Sequence, residues 1–371
     1  MKKKIALILF ISIVFIACEG DFLTPLEDYT FSTYDGNLST TKLRTNAKFS
    51  NREDFEALVF DNKIWVLGGY DCSARGDDDS YIEDVYSSED GINWTLVSDD
   101  VPWKGRRGLA ATVCGNYMYI SGGFEVDQAG GTDSRGYKND LWRSTDGINW
   151  EEISSSAPWT ARMNHGMLAD EDNNIIYIFG GFNADDTTYF SDMYKYDIAN
   201  NQWSKVTDDM GLGARAGFAY CKVGNVFYLQ GGSFKNATQS SSGRADSTVT
   251  NWEALWKYDL ANTDAGWTYL STPTSGYTRS EHSLISYDDK LWMFSGKSNS
   301  SLYFSKNSNT YSTQYYDLNS SSWTKDSEGA IVEPRYSYEC VLFNDKILLI
   351  GGYSNDGPQN DVWEIYTSED N

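Results

Sequence analysis

An apolar run ending in a glycine pair recurs six times along the 371 residues: IWVLGG at Ile64–Gly69, MYISGG at Met118–Gly123, IYIFGG at Ile176–Gly181, FYLQGG at Phe227–Gly232, LWMFSG at Leu291–Gly296 and ILLIGG at Ile347–Gly352. The fifth copy has Ser295 in place of the first glycine. The first positions of these pairs are 68, 122, 180, 231, 295 and 351, so the steps are 54, 58, 51, 64 and 56 residues. A period of this size marks one supersecondary unit that cannot cover its own hydrophobic face and must stack on copies of itself. The runs are short, β-branched and aromatic, and Gly, Asn, Asp and Ser separate them, which is the pattern of an all-β chain.

Other residues keep the same beat. An arginine stands 15 to 18 residues before each pair, at Arg52, Arg107, Arg162, Arg215, Arg279 and Arg335, and a tryptophan stands 12 or 13 residues before five of these, at Trp94, Trp150, Trp203, Trp267 and Trp323. A second strand-like segment follows every pair: EDVYSS, NDLWRS, SDMYKY, EALWKY, TQYYDL and NDVWEI. Each unit therefore reads as four short strands. The turn between the third and fourth is clearest at 88–94 (SEDGINW) and 144–150 (STDGINW), where Asp-Gly signals a hairpin because such turns need positive φ. The sixth unit stops before its tryptophan, and counting back from Arg52 places a strand at about 37–46 that would complete the last sheet and close a ring without free edges.

Glycine pair, D-x-[YW] strand, tryptophan and arginine at this period resemble Kelch repeats. The resemblance covers residues 37–371 and implies an all-β, six-bladed Kelch-type β-propeller closed by an N-terminal strand. The heptad also resembles a shortened aspartate box of sialidases, itself a structural turn. The longest insertion, Lys235–Asn251, has the Ser/Thr/Asn composition of a mobile loop.

Residues 1–17 carry Lys2, Lys3 and Lys4 ahead of an apolar stretch of 13, too short to span a bilayer, and read as a signal peptide. The ending Phe15-Ile16-Ala17-Cys18 resembles a bacterial lipobox, with Cys18 as the lipidation site, residues 18–36 as a tether and the cell envelope as the location. The formal net charge of −23, or −26 without the three lysines, repels phosphate backbones and argues against a nucleic-acid partner. Cys72, Cys114, Cys221 and Cys340 form no C-x-x-C pair and read as free thiols. Nothing calls for a metal or other cofactor, and a monomer is expected.

In Kelch propellers the connection leading to each blade's first strand lies at the mouth of the central channel, so the resemblance puts the six arginines there. They would form a local anion trap, or they would hold neighbouring blades together. Trp103 and Trp159 precede two of them and would stack on a ligand or pack a loop. His165 and His282 each follow an arginine by three, as mouth acid–base groups or as strand caps. Glu53, Glu281 and Glu339 stand nearby as ion-pair partners or proton carriers. The expected function is a lipid-anchored binding module for a glycan or protein. The alternatives are an epimerase similar to bacterial sialic acid mutarotases, acting on an anionic sugar, and a structural envelope component. Two histidines in repeat positions do not match the copper site of galactose oxidases.

Overall fold

The computed structural model describes residues 37–74, 80–127, 134–183, 188–239, 245–251, 253–273, 278–297, 312–326 and 331–367. The expected signal peptide, Cys18 and tether lie outside them. The chain folds into antiparallel sheets, among them five of four strands and one of five, which together follow the six glycine runs. Blade 1 is Glu56–Phe60, Lys63–Leu67, Val85–Ser88 and Trp94–Ser98. The first strands of blades 2 to 5 are Ala110–Cys114, Gly166–Asp170, Ala219–Val223 and Ser283–Tyr287. Blade 6 is Glu339–Phe343, Lys346–Ser354, Gly357–Thr367 and, from the other end of the chain, Leu38–Arg44. That N-terminal strand pairs antiparallel with Gly357–Thr367 from Leu38 opposite Thr367 onward, and fills the edge where the sixth unit runs out of chain. The six first strands touch one another in sequence, and the sixth touches the first.

One hydrogen bond repeats at every junction. The second glycine of each pair donates its N–H to the carbonyl of the next blade's arginine: Gly69 to Arg106, Gly123 to Arg162, Gly181 to Arg215, Gly232 to Arg279, Gly296 to Arg335, and Gly352 to Arg52, all at 2.8–3.0 Å. The same arginine's Nη1 donates to the carbonyl at the first position of its own blade's pair, as in Arg52 to Gly68, Arg335 to Gly351 and, in blade 5, Arg279 to Ser295. In four blades an aspartate in or just before the third strand completes the pin: Asp84, Asp140, Asp192 and Asp361, at 2.5–3.0 Å. Ala254 and Ser312 occupy the corresponding places in blades 4 and 5.

This register corrects one expectation. Blade 2 offers two adjacent arginines, and Arg106, not Arg107, enters the blade and bonds Gly122 and Asp140. Consecutive side chains on an extended chain point to opposite faces, so only the one 16 residues before its glycine pair can reach inward.

Glycine fits the first position of the pair in five blades because the next blade presses against it. A Cβ on Gly122, at φ 62°, would lie 2.5 Å from the His165 ring. Ser295 holds the same place in blade 5 at φ 35°, and its hydroxyl accepts the Arg335 N–H at 2.8 Å. In the repeated heptad, Asp90 and Asp146 each accept two backbone N–H groups of their own turn, Gly91 and Gly147 have φ 72° and 73°, and Trp94 and Trp150 donate to those glycines' carbonyls at 3.0 Å. The insertion read as a mobile loop instead forms a hairpin, Ser233–Gln239 paired with Ala245–Asn251. Polar, β-branched residues are compatible with a two-stranded ladder, which composition alone does not separate from loop.

Asp192→Asn leaves the buried Arg162 charge without its counter-ion and is expected to lower unfolding free energy by about 3 kcal/mol. Denaturant titration checks this, with Asp208→Asn, on an exposed pair with Lys205, as the control expected to leave the midpoint in place.

Candidate functional site

The first strands enclose a central channel of about 300 Å³. Its mouth is built from the residue two places after each pinned arginine: Asp54, Gly108, Asn164, Gly217, Glu281 and Ser337. All six have left-handed φ between 50° and 61°. That conformation turns each backbone N–H towards the neighbouring blade, and the donors run round the mouth from Gly108 to Asp54, Asn164 to Gly108, Gly217 to Asn164, Glu281 to Gly217 and Ser337 to Glu281, at 2.7–3.1 Å. Asp, Asn and Gly tolerate this conformation best, so the mouth side chains are small or polar as a consequence of the backbone.

Charge is distributed unevenly round the wall. Blades 5, 6 and 1 contribute Glu281, Glu339, Asp54 and Glu56, whereas the described lining from blades 2, 3 and 4 carries no charge and includes Ala111, Met167 and Tyr220. Glu53 stands beside this group at the mouth. Burial, and then Asp54 and Glu281, push Glu53 up to about 8, against the opposing pull of Arg107. Glu56 and Glu339 are both raised, by burial first and, for Glu56, by the neighbouring Glu339. Glu281 is raised by burial although Lys297 lies 3.5 Å away and Ser337 donates to it at 3.2 Å. Two carboxyls that share a poorly hydrated wall resist ionising together.

Of the two readings of the arginines, an anion trap at the mouth or a hold between neighbouring blades, their burial supports the second. Arg52, Arg162, Arg279 and Arg335 are 0% exposed, and Arg106 and Arg215 1%. They act as blade pins, and burial alone lowers Arg215 to about 9. Trp103 and Trp159 are also buried. They pack edge-on against Trp150 and Trp203 at 5.7 and 6.3 Å, as Phe49 does against Trp94 in blade 1. His165 and His282 belong to the channel wall, but their rings pack into the junctions against Gly122 and Gly231, where Phe55 covers Gly351 and Phe218 covers Gly180. His282 Nε2 donates to Gln230 Oε1 at 2.5 Å. Burial and then Arg162 lower His165 to about 3, and burial and then Arg279 hold His282 well below its usual value, so both rings are neutral at pH 7. Among the described residues no group of three His, Cys, Asp or Glu side chains is placed to hold a metal ion.

Arg107, excluded from the blade, lies instead at the mouth, 4.9 Å from the centre of the Tyr70 ring and 6.0 Å from that of Tyr81. These tyrosines belong to a second tier above the glycine pairs. There the residue after each arginine bridges to the residue after each pair: Glu53 to Tyr70, Arg107 to Phe124, Met163 to Phe182, Ala216 to Ser233, Ser280 to Lys297, and Tyr336 to Tyr353. The tier carries an unbroken series of half-buried rings. Tyr70, Tyr81, Phe124, Tyr137, Phe182, Tyr189 and Phe234 follow one another at centroid distances of 5.0–6.2 Å. Tyr336 stacks on Tyr353 at 5.2 Å and receives Lys297 Nζ at 4.7 Å. The sequence reading missed this arc, although its signal is present: an aromatic residue follows the glycine pair directly in blades 1, 2, 3 and 6.

The raised carboxyls fix the direction of a pH effect. Each binds its proton more tightly in the folded chain than in the unfolded one, so stability falls as pH rises above the ordinary carboxylate range, through about 8 for Glu53 and Glu339. The two histidines act in the opposite sense, but only below their unfolded value of about 6.5. Between about pH 6.5 and 8.5 the melting temperature is therefore expected to fall, and Glu53→Gln or Glu339→Gln to flatten that slope. A calorimetric pH series checks both.

The family model described as the KLHDC2/KLHL20/DRC7 Kelch-repeats domain matches this chain twice, over residues 24–232 and 128–352. Kelch domain-containing protein 3 of Rattus norvegicus is 28% identical over 190 residues, 49% of this chain and 47% of that protein. The Leucine-zipper-like transcriptional regulator 1 homolog of Drosophila melanogaster is 25% identical over 212 residues, 52% of this chain and 20% of that protein. The chain spans about half the length, or less, of these curated relatives. The solved structure of YjhT superposes with a TM-score of 0.66 at 15% identity, covering 88% of this chain and 98% of that one. With its glycine pairs, pinned arginines and antiparallel blades accounted for, the chain belongs to the Kelch-repeat family of β-propellers.

Proposed function

We propose that the protein is a binding module that holds a glycan or protein partner on the mouth face of its propeller. The aromatic arc carries this reading. Partly open tyrosine and phenylalanine rings in series, above a channel edged by carboxylates and one arginine, provide apolar contact area with polar groups beside it. The pinned arginines support a scaffold role for everything beneath that face. The lipobox-like Phe15–Cys18 supports a lipid-anchored place in the cell envelope.

A second reading, an epimerase acting on an anionic sugar, rests on Arg107 beside Glu53. A guanidinium could hold a carboxylate, and a carboxyl that titrates near 8 could carry a proton.

Thermal unfolding against neutral sugars, acidic sugars and peptides tests both readings. A ligand at about 100 times its dissociation constant stabilises the fold by roughly 2.7 kcal/mol. Tyr81→Ala and Tyr137→Ala should remove the shift while leaving the ligand-free melting point close to that of the parent. Anomer exchange on an acidic sugar, lost in Arg107→Ala, would establish the second reading. No shift with any probe would leave a structural role.

A further inference from the structure

We infer that the partner of the mouth face is a basic polypeptide segment, with its lysine or arginine heads against the Glu53–Glu281 side of the mouth and its stems across the aromatic arc. This rests on the binding-module reading and specifies its chemistry.

Three independent features agree. The wall formed by blades 5, 6 and 1 gathers acidic groups, whereas the lining from blades 2, 3 and 4 is uncharged. A cationic head on a long apolar stem fits such a divided surface. The rings already serve as cation acceptors within the chain, since Arg107 lies over Tyr70 and Lys297 over Tyr336. A partner's cation would take these places by the same attraction to the ring face. The formal charge of −23 adds a long-range field that draws basic chains in. An acidic segment would meet Glu53, Asp54 and Glu281, against which the described cations are Arg107 and Lys297.

The groups that face these carboxyls set the pH response. Glu53 is met by Asp54, Glu281, Arg107, Cys72 and the Tyr336 hydroxyl, and Glu281 by Lys297, Ser337 and Asp54. An incoming cation favours their ionised forms, so binding releases protons and tightens as pH rises from about 6 to 8.5.

The test uses fluorescently labelled decapeptides of alternating Lys–Gly and alternating Glu–Gly, titrated with the purified protein. The Lys–Gly peptide is expected to bind at least tenfold more tightly. Glu53→Gln with Glu281→Gln should weaken it about tenfold. Glu151→Gln with Glu152→Gln, which changes net charge equally on an outer strand, should weaken it less than twofold. Tyr81→Ala should weaken it severalfold, and Arg107→Ala, which vacates the Tyr70 face, should strengthen it. Equal losses in the two double variants would reduce the effect to diffuse attraction and overturn the inference. So would equal affinity for the two peptides. Neutral-sugar binding that needs Tyr81, together with indifference to both peptides, would keep the binding module and remove the basic partner. Failure of every probe at the mouth would remove both.

Discussion

The hydrogen bond from the second glycine of each pair to the carbonyl of the next blade's arginine links every blade to its neighbour, and blade 6 back to blade 1. It is possible only because three demands meet at one residue. The arginine's carbonyl faces the previous blade, its guanidinium reaches its own blade's first glycine carbonyl, and in four blades an aspartate neutralises it. A buried guanidinium has five donors in a fixed fork and tolerates burial when carbonyls and a carboxylate receive them. Breaking one element of such a site costs far more than the pair contributes, because the remaining charge stays buried.

The pin also governs what is left for recognition. Once six arginines are committed to the junctions, the mouth keeps only the side chains that the backbone sends there. The left-handed residue of each blade supplies Asp54, Asn164, Glu281 and Ser337, and the second tier supplies the aromatic arc and Arg107. An apparent anion trap in the sequence thus becomes an acidic, aromatic-rimmed opening in the folded chain. Positions that resemble one another across the repeats, such as His165 with Phe218 or Trp159 with Phe49, share a packing role, whatever chemistry their side chains suggest singly.

Much of the architecture was legible because its causes are local. The glycine pairs mark strand ends at positive φ, and Asp90-Gly91 and Asp146-Gly147 mark hairpins closed by short side-chain bonds. The missing tryptophan of the last unit pointed to the strand now seen at Leu38–Arg44. The Arg107 assignment failed because two neighbouring arginines are indistinguishable until a register decides which one points inward. The insertion at 235–251 failed because polar hairpins and polar loops share a composition.

The sequence by itself determined that the chain would be built from six repeated antiparallel units whose ends meet, since period, turn chemistry and a displaced strand are properties of neighbouring residues. Only the tertiary structure decided which charges are buried and which face the channel. Glu53, Asp54, Glu56, Glu281 and Glu339 come from three separate units, up to 286 positions apart in the chain. Their mutual repulsion, and the arc of rings above them, exist only when the ring brings blades 5, 6 and 1 side by side.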